Sequence, residues 1–180
     1  MTIRTAAAIV GIIIITATDV SAEDKPGWLH RTFGELTWEE VATTVETPRE
    51  IARAVRRRVD YTDDLVDQWQ TGEDTWKKAT GDCEDFAVAV LDLCKTNGID
   101  AKILILQPVG SYMAHAVVVG TYRGRLWVSS NGWYKEFKSM DAAIKDVSRD
   151  FAWRGKEIRV SEVDKPGALG YPRFVRIARA

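Results

Sequence analysis

Apolar positions along the chain repeat at two spacings, and the change from one to the other divides it. Up to about residue 97 they recur every three or four residues, as on a helix face; beyond that they fall into short runs suited to strands. Thr37 with Glu40 three residues later predicts a capping box and a short helix. Thr47-Pro48 predicts a second helix with proline in its first turn, and Ile51, Val55 and Val59 share one face of it. Residues 60–80 are acidic and contain tryptophan, and read as helix fragments and loop. The segment 81–97 (GDCEDFAVAVLDLCKTN) places Cys83, Phe86, Ala87, Val90 and Cys94 on one helical stripe, and Asn97-Gly98 stops it. Strands are predicted at 102–106, 114–121, 125–130 and 156–163, with a helix at 139–147. Helices first and mostly antiparallel strands afterwards define an α+β class, with N-terminal helices packed on an antiparallel sheet.

The N-terminus departs from this pattern. Arg4 precedes an apolar run at 6–18, too short for a comfortable membrane span, and Val20-Ser21-Ala22 supplies small residues at −3 and −1. Residues 1–22 therefore read as a signal peptide, and 23–180 as one domain, periplasmic or secreted, with no stable membrane insertion after cleavage. The length of 180 residues suits a single domain with a real core. Lys plus Arg number 25 against 26 for Asp plus Glu, which removes the electrostatic reason to expect nucleic acid as a partner. The run Arg56-Arg57-Arg58 reads as a solvated helix face.

The two cysteines, Cys83 and Cys94, lie eleven residues apart. On one helix that is about 16 Å of rise, whereas a disulfide needs Cα atoms within roughly 7 Å. An exported protein with free thiols calls for a reason, and a reactive thiol is one. Cys94 suits a buried structural position. Cys83 follows Gly81-Asp82 at a helix start, where unpaired N–H groups and the helix dipole favour a thiolate. The histidines are His30, in the polar lead-in, and His115, at the head of the apolar run AHAVVVG. His115 is thus the candidate base, against the plainer reading of a satisfied histidine at the edge of the core. If Tyr122-Arg123-Gly124 is a three-residue hairpin loop, counting back pairs His115 with Asn131, close enough to orient the imidazole. Asn131 also reads as a turn residue before Gly132.

The run Gly81-Asp82-Cys83-Glu84-Asp85-Phe86-Ala87, then Asn97-Gly98-Ile99, then Ala114-His115-Ala116-Val117, resembles the bacterial transglutaminase-like cysteine peptidases over roughly residues 70–137. The resemblance implies a papain-like fold and a triad of Cys83 as nucleophile, His115 as base and Asn131 as orienting residue. Close relatives usually carry Asp where Asn131 stands. It implies hydrolysis of peptide bonds through an acyl-enzyme, with acyl transfer or an inactive peptide-binding domain as alternatives, and a protein or peptide substrate. The N–H of Cys83 is one natural oxyanion donor, and by resemblance Trp76 is the second, unless it simply packs against the helix start. Asp82, Glu84 and Asp85 crowd three carboxylates around the thiol. They raise its pKa unless turned away or neutralised, so Ca²⁺ is a candidate ligand; the competing reading makes Asp82 a helix cap and the other two partners of the dipole.

Overall fold

The computed structural model describes residues 36–63, 68–163 and 173–180. The signal-peptide segment and His30 lie outside the described residues. Two capping boxes start the fold. Thr37 and Glu40 exchange hydrogen bonds (2.8 and 3.3 Å) at the head of α1 (Trp38–Thr44). Thr47 and Glu50 do the same for α2 (Pro48–Arg58), with Pro48 at its first position. Each box satisfies two backbone donors that a helix start leaves open. Arg56, Arg57 and Arg58 lie in the last turn of α2, the favourable end for cations.

A short parallel pair follows: β1 (Asp60–Tyr61) with β2 (Thr80–Gly81), and α3 (Gly72–Lys78) between them in sequence. Next comes α4 (Cys83–Thr96), ended by Gly98 at φ 66°. The expected stripe on α4 is too narrow: Val88, Ala89, Leu91 and Leu93 are buried along with Phe86, Ala87, Val90 and Cys94. The helix is enclosed because α1–α3 contribute to the same core as the sheet face behind it.

Six strands form one antiparallel sheet in the order β6-β5-β4-β3-β7-β8: β3 (Ala101–Pro108), β4 (His115–Tyr122), β5 (Arg125–Ser130), β6 (Trp133–Phe137), β7 (Glu157–Val163) and β8 (Arg173–Arg179). Between β6 and β7, α5 (Met140–Asp150) is capped by Ser139. The α+β expectation holds, and so do the strands predicted at β3, β4, β5 and β7. The edge strands β6 and β8 are additions.

Alternation along β4 explains its unbroken apolar run. Ala116 and Val118 belong to the core shared with α4, while Val117 and Val119 belong to the core shared with α5. A strand covered on both faces has no solvent side and so shows no polar alternation. Each fully buried valine contributes about 1.5–3 kcal/mol relative to an exposed one.

Candidate active site

The site lies where the head of α4 meets the head of β4. Asp82 caps α4: its Oδ1 accepts the N–H groups of Glu84 (3.0 Å) and Asp85 (3.4 Å). Gly81 is required by a close approach, since a Cβ there would stand 2.6 Å from Cβ of Asp85. Cys83 is the first residue of the helix. Its Sγ donates to Oε2 of Glu84 at 3.4 Å and lies near the backbone N–H of Ala116, the residue after His115. The helix start does not by itself make a thiolate. Burial pushes the Cys83 thiol up to about 12, and the carboxylates of Glu84 and Asp82 push the same way against the Ala116 N–H. Cys94 is also a free thiol, raised to about 12 by burial alone.

His115 is 2% exposed. Its Nε2 lies 2.8 Å from Oγ of Ser130, and its ring stands 4.2 Å from that of Phe151, which in turn stacks on Trp153. Burial pushes the imidazole down to about 4, so the ring is neutral at ordinary pH. Among the described residues no hydrogen bond joins Sγ of Cys83 to the His115 ring: the ring lies with Val117, Ser130 and Phe151 on the face of the sheet that α5 covers, whereas Cys83 packs with Ala116 and Val118 on the face that α4 covers.

The hairpin differs from expectation by one residue. The turn from β4 to β5 is Arg123-Gly124 (φ 50° and 75°), a two-residue loop, and Tyr122 pairs with Arg125. Val117 therefore opposes Ser130, and the diagonal neighbour of His115 on its own face is Ser130 rather than Asn131. Asn131 (φ 46°) and Gly132 (φ 73°) form the next turn, and Oδ1 of Asn131 is buried without a partner. The turn-residue reading of Asn131 describes its backbone.

Trp76 is buried, with its indole N–H donated to the carbonyl of Leu36 at 2.9 Å and its ring edge-on to Trp38. The indole is thus engaged in packing at the helix layer. Of the three carboxylates, Asp82 and Glu84 remain around the thiol, where with Cys83 they bring one ligand atom each within 4.8 Å of one another. Asp85 turns inward. It is fully buried and accepts both the backbone N–H (2.7 Å) and the side-chain amide (2.5 Å) of Gln70. Burial raises its carboxyl, and these bonds offset part of that rise.

Sequence patterns do not single out Ser130, Gln70 or Tyr61. Tyr61 stacks on Phe86 and donates to Asp63; burial, then that bond, then the nearby Cys83, Asp63 and Asp82 hold its hydroxyl above the usual range. A cavity of about 290 Å³ opens between β5, β6 and α5, lined by Ser130, Trp133, Lys135 and Asp150 among others.

The family model described as the transglutaminase-like superfamily matches residues 32–136, more than half of the chain, and the chain belongs to that superfamily. The likeness carried by residues 81–87 and 114–117 is therefore one of membership. No curated protein shows significant similarity to the chain. Solved structures of similar fold include Legionella pneumophila LapG, at 13% identity and TM-score 0.46, covering 61% of this chain and 74% of that one. The calcium-bound form of the same protein matches at 16% identity and TM-score 0.41, covering 61% and 64%. A candidate cysteine protease of Cytophaga hutchinsonii matches at 13% identity and TM-score 0.40, covering 86% and 57%. This chain spans less than two thirds of the length of the last two. No helix among the described residues is long and apolar enough to cross a membrane.

Proposed function

We propose that the protein is a cysteine hydrolase of peptide amide bonds, with Cys83 as nucleophile and His115 as general base and acid. The observation that carries this reading is the placement of the Cys83 thiol at the first position of α4, in a chain that belongs to the transglutaminase-like superfamily. His115 takes the thiol proton and Sγ adds to the carbonyl carbon. The C–N bond then breaks, and the proton on His115 goes to the departing amine. Water, deprotonated by His115, releases the acid and returns the thiol. The cap on Asp82 takes the N–H groups of Glu84 and Asp85 and not that of Cys83, which suits the Cys83 N–H to receive the developing oxyanion.

Calcium belongs to the same proposal, held by Asp82 and Glu84. Their carboxylates suit a hard cation, although Ca²⁺ takes six to eight oxygens and Asp85 is committed to Gln70. A bound cation supplies charge that offsets the carboxylates beside the thiol. Export completes it, with cleavage after Ala22 and a mature chain starting at Glu23, which N-terminal sequencing of exported material checks.

Activated peptide esters test the chemistry. An acyl adduct should form on Cys83, turn over in water, and be lost in Cys83→Ala. In His115→Ala its formation should slow by about 10²–10⁴-fold. Adducts confined to Cys94, or none in either Ca²⁺ or chelator, would remove the hydrolase reading.

A further inference from the structure

We propose that a pocket at the far end of β4 from Cys83 binds an acidic peptide segment through its carboxylates. The pocket encloses about 340 Å³ between the head of α2, the β4–β5 turn and β6. Arg49, Tyr122, Arg123, Arg125, Tyr134 and Glu136 form most of its wall. From Ala116, near the thiol, to Tyr122, in the pocket wall, β4 advances roughly 20 Å. Binding there needs neither Cys83 nor His115.

Charge is the first observation. Three guanidiniums meet one carboxylate, which leaves two positive charges in excess, in a chain whose formal net charge is −1. Glu136 serves two of the three at once. Its carboxylate lies 3.7 Å from Arg49 and 3.7 Å from Arg125, and it accepts the Tyr134 hydroxyl at 3.0 Å. Tight guanidinium–carboxylate bonds close to about 2.8 Å, so neither pair uses its donors fully. The side chains of Arg49 and Arg125 are 70% and 75% exposed, and among the described residues Arg123 has no carboxylate partner. Glu50, next to Arg49 on α2, is committed to the backbone N–H groups of Glu46 and Thr47.

Backbone conformation is the second. Arg123 and Gly124 are the central residues of the β4–β5 turn, at φ 50° and 75°. A two-residue loop with positive φ at both positions favours Asn-Gly or Asp-Gly. Arginine at the first position holds a left-handed conformation at a cost in stability. Strain of this kind gathers at ligand clamps. Here it puts the guanidinium 5.2 Å from the Tyr122 ring, in the pocket wall. Arg49 stands 5.0 Å over the Tyr134 ring in the same way. The two rings thus hold two guanidiniums in place before a ligand arrives.

These parts define the occupant. Glu136 is itself a carboxylate between two guanidiniums, so the walls suit that group, whereas a phosphate dianion would bring twice the charge against it. Two excess positive charges match two carboxylates, which one acidic segment supplies. Asp82 and Glu84 beside Cys83 repel the same segment, so it settles at the basic end of β4 and not at the thiol end.

Fluorescence anisotropy of a labelled Glu-Gly-Glu-Gly-Glu peptide with the full chain tests this at low salt. Binding should saturate, weaken as salt rises, and fall at least tenfold when Gln replaces Glu in the peptide. Arg49→Gln and Arg125→Gln should each weaken it by about fivefold. Arg154→Gln, which removes an exposed charge from the turn before β7, should change it less than twofold. Arg123→Asn should weaken binding by about fivefold and yet raise the urea midpoint, because Asn-Gly suits the turn. An arginine with a merely structural role would not separate the two readouts in that direction. Equal binding of the Gln peptide, or an equal loss in Arg154→Gln, would reduce the effect to nonspecific contact and overturn the proposal. Inorganic phosphate that displaces the peptide at or below the peptide's own concentration would make this a small-anion site instead. A single-stranded oligonucleotide bound more tightly than the peptide would make it a nucleic-acid site. Either result overturns the peptide assignment, as does the absence of saturable binding.

Discussion

Cys83 and Cys94 stand on one helix with thiols raised to about the same value, yet for different reasons. Cys94 is raised by burial alone; Cys83 is raised by burial and by the carboxylates of Glu84 and Asp82. A charge can be removed without unpacking the core, whereas burial cannot. Glu84→Gln should therefore lower the Cys83 thiol and speed its alkylation, about tenfold for each unit of fall, and leave Cys94 unreactive. Mass-resolved iodoacetamide labelling at fixed pH separates the two sites. Unchanged labelling of Cys83 would show that burial alone sets its reactivity. Saturating Ca²⁺ should act in the same direction on the wild type and much less on Glu84→Gln.

At the scale of elements, the hairpin ends position the site, and glycines decide whether they can form. Gly124 and Gly132 both take positive φ, but a Cβ on Gly124 meets open space and one on Gly132 meets α2. Gly124→Ala should cost about 1 kcal/mol, the left-handed conformation alone. Gly132→Ala adds a clash with backbone and should cost roughly 1–3 kcal/mol more. Urea denaturation compares them, and equal costs would mean that the second turn is not pressed on α2. The same turns mark where the sequence stopped being legible. Helix caps, the cysteine at a helix start and the four inner strands were readable because each leaves a local mark: Thr-x-x-Glu, Gly-Asp-Cys, an apolar run. The partner of His115 was not, because it depends on whether one loop has two residues or three. A slip of one residue exchanges Asn131 for Ser130. Edge strands β6 and β8 escaped because each has an exposed, charged sequence with little alternation.

Across the whole molecule, a sheet packed on both faces leaves little room for charge, yet two titratable groups of the site are buried, one on β4 and one on α4. His115 is 2% exposed and Asp85 fully buried. Both are neutralised more readily than in water, and their effects on stability run in opposite directions. An unfolded histidine titrates near 6.5, the folded one near 4. Between those values the unfolded chain binds a proton that the folded chain does not. Stability is then lost as pH falls through that window and is constant above it. The full effect is on the order of 3 kcal/mol. Asp85, raised by burial, binds its proton more readily in the folded state, so on acidification it contributes stability instead. A single profile of the wild type mixes the two. The difference between wild type and His115→Gln isolates the ring, because Asp85 is common to both. That difference, from urea midpoints between pH 7.5 and 4, should be flat above about 7 and then move against the wild type by up to about 1.4 kcal/mol per pH unit. Parallel profiles across the window would mean that the folded ring protonates as freely as the unfolded one, and neither a buried base nor its bond to Ser130 would survive that result.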